Sequence, residues 1–188
     1  MKKLILILLL ASTLTNAQES PIIAKKNEFR IDLLSIITYG KFGVSYERFL
    51  NKDFSTGINV NFSNNQKTKD NFDQGFRNNL PLYEINPYFR YKMSVSPSKY
   101  YFAEIFASSN GGDYKEITRL VDSNNNGYYT TEKTKYTDFA LGGSLGYKMY
   151  FREKIALEFI VGFGKNLINR AKSPDVITRV GINLGYRF

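Results

Sequence analysis

The sequence predicts an all-β protein, an eight-stranded antiparallel up-and-down transmembrane β-barrel. Three observations predict it. Apolar and polar residues alternate with a two-residue period from about Phe29 to Phe188, which is the period of a strand. No apolar stretch beyond the first ten residues approaches the ~20 that a spanning helix needs. Short connections alternate with long polar ones, as in membrane barrels with short turns on one side and longer loops on the other.

The elements follow in order. Lys2 and Lys3 followed by the Leu/Ile run Leu4 to Leu10 read as a signal peptide, residues 1–17, cleaved after Thr15-Asn16-Ala17. One barrel domain, residues 18–188, is expected to follow. The first strand alternates through Phe29, Ile31, Leu33 and Ile37 against Arg30 and Asp32, with Leu34 and Ile36 out of phase. The second alternates Phe42, Val44 and Tyr46 with Gly43, Ser45 and Glu47. The third is regular from Ser55 to Ser63, with Thr56, Ile58, Val60 and Phe62 on one face. The fourth sets Tyr83, Ile85, Phe89 and Tyr91 against Glu84, Asn86, Arg90 and Lys92. Pro87 lies within it and removes a ladder donor. The fifth sets Tyr101, Ala103, Ile105 and Ala107 against Glu104 and Ser108, but Phe102 and Phe106 leave its faces ambiguous.

In the sixth strand Phe139, Leu141, Leu145, Tyr147 and Met149 oppose Asp138, Ala140, Gly142, Ser144, Gly146 and Lys148. In the seventh, Ile155, Leu157, Phe159, Val161 and Phe163 oppose Ala156, Glu158, Gly162 and Gly164. The eighth sets Val176, Val180, Ile182, Leu184, Tyr186 and Phe188 against Arg179, Gly181, Asn183, Gly185 and Arg187. Residues 64–81, 109–135 and 165–175 are the long connections. Asn126-Gly127 is a hairpin signal that would let two strands extend beyond the membrane.

An eight-stranded barrel is only wide enough inside for side chains. Its polar faces are rich in Gly, Ser, Ala and Asn, which suits a narrow interior; the apolar faces suit lipid. With the polar faces inward, the interior holds Arg30, Arg90, Lys92, Lys148, Arg179 and Arg187, and opposite them Asp32, Glu47, Glu84, Glu104, Asp138 and Glu158. Charges of both signs in equal number are what a closed interior requires, because buried charge must be paired.

The last residues, Gly181 to Phe188, carry Tyr186 and Phe188 on the alternating apolar face and resemble the C-terminal assembly signal of bacterial outer-membrane barrels. Ser45-Tyr46-Glu47-Arg48 and Tyr88-Phe89-Arg90-Tyr91 resemble an uncharacterised family of small outer-membrane β-barrels. The overall plan resembles OmpA- and OmpX-type eight-stranded barrels. The resemblance implies an outer-membrane address in a Gram-negative envelope and handling by the barrel-assembly machinery, with no established activity.

Composition excludes several chemistries. The chain has no Cys and no His, so neither thiol chemistry nor the commonest general base is present. Asp122 to Gly127 begins like a calcium loop, but Lys133 stands where its final Glu belongs and Glu132 comes one residue early. Gly142-Gly143 and Gly162-x-Gly164 lie in strands with no helix following to hold a phosphate. No catalytic residue, metal or cofactor is therefore assigned, and the chain is expected to be a monomer with a structural or surface-interaction role. Two other readings are a soluble periplasmic lipocalin-like carrier of an apolar ligand and a lipid-modifying barrel enzyme, the latter disfavoured by the missing His. The formal charge of +9 points to outer-membrane lipid rather than nucleic acid. Lys67, Lys69, Arg77, Lys165, Arg170 and Lys172 in the long connections suggest lipopolysaccharide, and an unknown surface partner is left open.

Overall fold

The computed structural model describes residues 25–93, 96–123 and 125–188; the expected signal segment lies outside these residues. Eight strands form one closed barrel in sequence order. They are β1 (Asn27–Asp32), β2 (Lys41–Phe49), β3 (Phe54–Ser63), β4 (Asn79–Lys92), β5 (Lys99–Val121), β6 (Gly127–Phe151), β7 (Ile155–Asn166) and β8 (Val176–Arg187). Each strand pairs antiparallel with its neighbour in sequence, and β8 closes on β1 with Glu28 opposite Arg187 and Asp32 opposite Asn183. The three short connections, residues 50–53, 93–98 and 152–154, lie at the same end as the start of β1 and the end of β8; this is the turn end. The opposite, loop end carries the long connections.

The barrel is inside out relative to a soluble protein. Ile105, Leu141, Leu145, Phe159, Val161 and Phe163 are exposed on its exterior, while Arg30, Glu47, Glu104, Lys148 and Glu158 are buried. Exterior apolar residues and interior ions are the arrangement that hydrocarbon around a closed barrel demands.

Large interior side chains fit because small ones stand opposite. Phe102 pairs with Gly146 and Phe106 with Gly142 across β5 and β6, and Tyr88 pairs with Gly57 across β3 and β4. A Cβ at Gly142 would lie 2.5 Å from the Phe106 ring, and one at Gly146 would collide with the ring of Phe102. The ambiguity of β5 is thereby resolved: Phe102 and Phe106 are buried interior residues, each in the space its cross-strand glycine leaves.

Two local expectations are corrected. The first strand does not continue to Ile37 but stops at Asp32, where α1 (Leu33–Tyr39) begins. Asp32 caps it, accepting from the Ser35 N–H at 3.1 Å and from the Ser35 hydroxyl at 2.6 Å. Gly40, at φ 56°, ends it in the left-handed conformation that glycine adopts without strain. The out-of-phase Leu34 and Ile36 belong to this helix. The connection after β3 is not all loop either. It contains α2 (Gln66–Asp73), capped by Asn65, whose side chain accepts from the Thr68 N–H. Pro87 does sit inside β4: it pairs with Ile58 on the β3 side, and the β5 ladder skips Asn86 and Pro87 and resumes in the same register.

β5 and β6 stay paired to Val121 opposite Gly127, well past the last β4 partner, where Asn79 meets Tyr114. From Lys115 and Lys133 outward they form a two-stranded hairpin. α2 packs at its base: Phe72 is fully buried, the ammonium groups of Lys115 and Lys133 lie 4.5 and 5.3 Å from its ring centre, and its carbonyl accepts from Lys115 at 2.6 Å.

Candidate functional site

The distinctive chemistry of the molecule is its buried charge cluster. Strand parity points Glu28 and Arg30 of β1, Glu47 of β2, Arg90 of β4, Glu104 of β5, Lys148 of β6, Glu158 of β7 and Arg179 of β8 to the same interior. That is four carboxylates and four cations, all nearly or fully buried. Two opposed pairs come directly from register: Lys148 faces Glu158, and Arg90 faces Glu104.

Glu47 is the hub. It accepts from Lys148 at 2.7 Å, from Arg90 at 2.9 Å, from Arg30, and from the Ser55 hydroxyl at 2.5 Å. Glu158 accepts from both terminal nitrogens of Arg90, at 2.6 and 3.1 Å, and from Asn183 at 3.0 Å. Glu104 accepts from Arg90 Nε at 2.5 Å and lies 2.7 Å from Arg179. The rings of Tyr88, Phe102 and Phe106 flank the guanidinium groups: Arg90 sits 4.2 Å from the centre of Phe102 and Arg179 5.2 Å from that of Phe106. Arg30 also donates to the Tyr88 hydroxyl at 2.6 Å. Ions this deep persist when their lone pairs and protons have partners. Here the carboxylates are multiply paired, while among the described residues Arg30 Nε has no hydrogen-bond partner and Arg179 meets Glu104 as an ion pair alone.

Below the cluster, toward the turn end, Phe49, Tyr100 and Tyr150 form a floor. Tyr150 donates to Glu28 at 2.5 Å. Arg187 lies 3.7 Å from the centre of Phe49, and Lys92 lies 4.9 Å from that of Tyr100. Above the cluster a polar hollow of about 90 Å³ opens beneath α1, lined by Asp32, Asn59, Glu84, Arg179 and Asn183 among others. Its walls and size suit a few water molecules, not an apolar ligand.

The twelve charges assigned inward from sequence thus divide. Arg30, Glu47, Arg90, Glu104, Lys148, Glu158 and Arg179 meet in the cluster. The other five do other work. Asp32 caps α1 at the rim. Glu84 is part-exposed and pairs with Lys41 at 2.9 Å. Lys92 and Arg187 stack on the aromatic floor, and among the described residues neither makes an ion pair. Asp138 is buried at the loop end, where it accepts from the N–H groups of Ile168 and Asn169, both at 2.9 Å, and from Ser173 at 2.5 Å. It anchors the connection between β7 and β8. Glu28 was missed, although it shares the parity of Arg30; it lies one residue before the alternation becomes visible. Tyr186 and Phe188 are exposed on the exterior with stacked rings, their centres 6.4 Å apart.

Neither a metal centre nor a nucleophile fits this geometry. One oxygen each from Glu28, Glu47 and Glu158 converges within 4.8 Å, as a cation site would require. Lys148 already supplies that cation, 2.8, 2.7 and 3.0 Å from the three. Ser55 donates to Glu47 and Ser173 to Asp138, but each carboxylate is held by several other donors and has no free basicity to lend.

No protein-family model matches the sequence, and no curated protein matches it. Solved structures do. The N-terminal β-barrel domain of Pseudomonas aeruginosa OprF is 12% identical, with a TM-score of 0.52 over 87% of this chain and 98% of that one. The crystal structure of Ail from Yersinia pestis is 10% identical, with a TM-score of 0.43 over 87% of this chain and 99% of that one. At 12% identity the likeness to the OprF domain is one of fold alone: the chain is a closed, up-and-down, eight-stranded antiparallel barrel of the outer-membrane type.

Proposed function

We propose that the protein is a non-enzymatic barrel of the bacterial outer membrane that serves the envelope structurally and presents its loop end to a surface partner. One observation carries this: the barrel is plugged from within by paired charge, so only its exterior is left to act. An apolar belt faces out, matching outer-membrane lipid. The β5–β6 hairpin stands beyond the wall with Ile117 and Tyr129 each 73% exposed. Among the described residues no strand pairs with its edges beyond Lys115 or before Ala140, so backbone donors and acceptors are open to a partner strand. In this reading Tyr186 and Phe188 are the signal for the barrel-assembly machinery, and the chain acts as a monomer.

A lipocalin-like carrier needs an apolar hollow, and this interior holds ions. Because the chain lacks Cys, single cysteines test the proposal directly. Ser123→Cys at the hairpin tip should react with a membrane-impermeant maleimide on intact cells, and Lys52→Cys at the turn end only after disruption. The protein should stay with outer membranes until detergent is added and migrate differently on gels before and after boiling. Recovery in the soluble periplasmic extract would overturn the proposal.

A further inference from the structure

The surplus positive charge is not where the long connections suggest. Of 26 Lys and Arg and 17 Asp and Glu in the whole chain, Lys2, Lys3 and Glu19 fall outside the described residues and four of each sign are neutralised in the cluster. At the turn end, Lys25 and Lys26 precede β1. Arg48 and Lys52 flank the first turn, Lys92 and Lys99 the second, and Arg152 and Lys154 the third; Arg187 ends β8. These nine cations face two acids, Asp53 and Glu153. Eleven cations and ten acids remain for the loop end, which is therefore almost neutral. Lys172 there lies 3.8 Å from Glu116, and Lys133 3.0 Å from Asp113.

Six of the turn-end cations, Lys26, Arg48, Lys52, Lys99, Arg152 and Lys154, are exposed, and none makes an ion pair among the described residues. They occur at all three turns and beside the start of β1, so they ring the barrel. Arg48 and Lys99 share the lipid-facing parity of Tyr46 and Tyr101. Long cationic side chains beside an aromatic belt reach along the barrel to headgroup phosphates. The third turn retains its charge against conformational preference. Arg152 and Glu153 adopt φ 49° and 60°, positions where hairpins ordinarily use Asn or Gly.

We infer that this ring binds the anionic phospholipid headgroups of the periplasmic leaflet. The inference rests on the outer-membrane reading above, because it takes the turn end as the periplasmic one. A ring on the whole circumference matches a lipid annulus; a protein or cell-wall ligand would call for a one-sided patch. The contact is electrostatic, so it selects by headgroup charge and weakens with salt.

The test uses the mature chain refolded into phosphatidylcholine vesicles, with spin-labelled phosphatidylglycerol or phosphatidylcholine as probe. Wild type should hold the anionic probe several-fold more strongly. Replacing the six cations by Gln should bring the ratio close to one. Replacing Lys67, Lys69, Arg77, Lys165, Arg170 and Lys172 by Gln should leave it unchanged. Heat-modifiable migration reports folding of each variant; should the six-fold variant not fold, Arg152→Gln with Lys154→Gln should lower the ratio part-way. Equal retention of the two probes by wild type, or a ratio lost only in the loop-end variant, would overturn the inference. So would capture on isolated peptidoglycan without lipid preference, which would assign the ring to the cell wall. Failure of wild type to enter the vesicles at all would instead overturn the outer-membrane reading.

Discussion

Glu28 and Glu47 stand directly opposite each other across β1 and β2, and both carboxylates lean on one ammonium group, that of Lys148, at 2.8 and 2.7 Å. Two like charges at a cross-strand position repel, so this register needs cations between them: Arg30 of β1 pairs with both carboxylates, and β6 delivers Lys148 as the second cation. Lys148→Met should destabilise the folded barrel by about 3–5 kcal/mol, the cost of leaving buried charge unpaired. Adding Glu28→Gln should recover part of the loss. Arg187→Gln should cost less, about 0.5–2 kcal/mol, because Arg187 faces Glu28 in register yet stacks on Phe49. The folded fraction on unheated gels across a urea series measures all three; equal losses for Lys148→Met and Arg187→Gln would contradict the assignment.

The pairing of Phe102 with Gly146 makes a second prediction. A Cβ at position 146 would meet the Phe102 ring and, at 2.6 Å, the Phe159 carbonyl. Gly146→Ala should therefore cost about 1–3 kcal/mol, the usual cost of overpacking. Phe102→Leu in the same chain should recover only the part due to the ring, since the carbonyl stays in place. Gly143, whose nearest neighbour on adding a Cβ would be 3.6 Å away, is the control and should tolerate Ala with little change in the same urea series.

Much of this is visible in the residues themselves, for identifiable reasons. Alternation at period two marks every strand whose two faces differ in chemistry, so β3, β6, β7 and β8 are plain, and strand parity alone sorts Lys148 and Glu158 inward. What parity does not carry is height along the barrel. Asp138, Glu84 and Arg179 all point inward, but only Arg179 lies deep enough to reach Glu104; Asp138 meets backbone N–H groups at the rim instead. The role of Phe102 becomes clear only once register sets Gly146 opposite, and register is a property of two strands. α1 is hidden because seven residues rich in Ile and Leu look like more strand; its signals are Asp32 with Ser35 at the start and Gly40 at the end.

Asp138 should act as the clasp of the connection between β7 and β8. Asp138→Ala removes the acceptor of three backbone N–H groups, those of Ile168 and Asn169 in the connection and that of Phe139, and of the Ser173 hydroxyl. Hydrogen bonds to a charged acceptor contribute about 1.5–3 kcal/mol, so amide exchange at Ile168 and Asn169 should speed up ten-fold or more. Exchange within β7 itself should hardly change, because Asn166 has its own anchor: it accepts from Asn110 at 2.8 Å and donates to the Pro174 carbonyl at 2.6 Å. Unchanged exchange at Ile168 would show that the connection is held by Asn166 alone.

The exterior belt gives the sharpest test of what surrounds the barrel. Leu145 is 57% exposed and lies midway along the part of β6 that pairs with β7, Ala140 to Phe151, opposite Ala103 and Val161, both exterior-facing. In water an arginine at a half-exposed exterior position changes stability by no more than about 0.5 kcal/mol. In hydrocarbon the same side chain at mid-depth costs about 2–4 kcal/mol, falling toward zero near the interfaces. Leu145→Arg and Tyr101→Arg therefore make a matched pair, one at the middle of the belt and one near the turn end. Refolded in phospholipid vesicles, the first should lose far more stability than the second. The depth dependence separates lipid from water, because an aqueous exterior has no middle. Equal and small losses would place water around the belt, and the buried ions of Glu47 and Lys148 would then need another explanation.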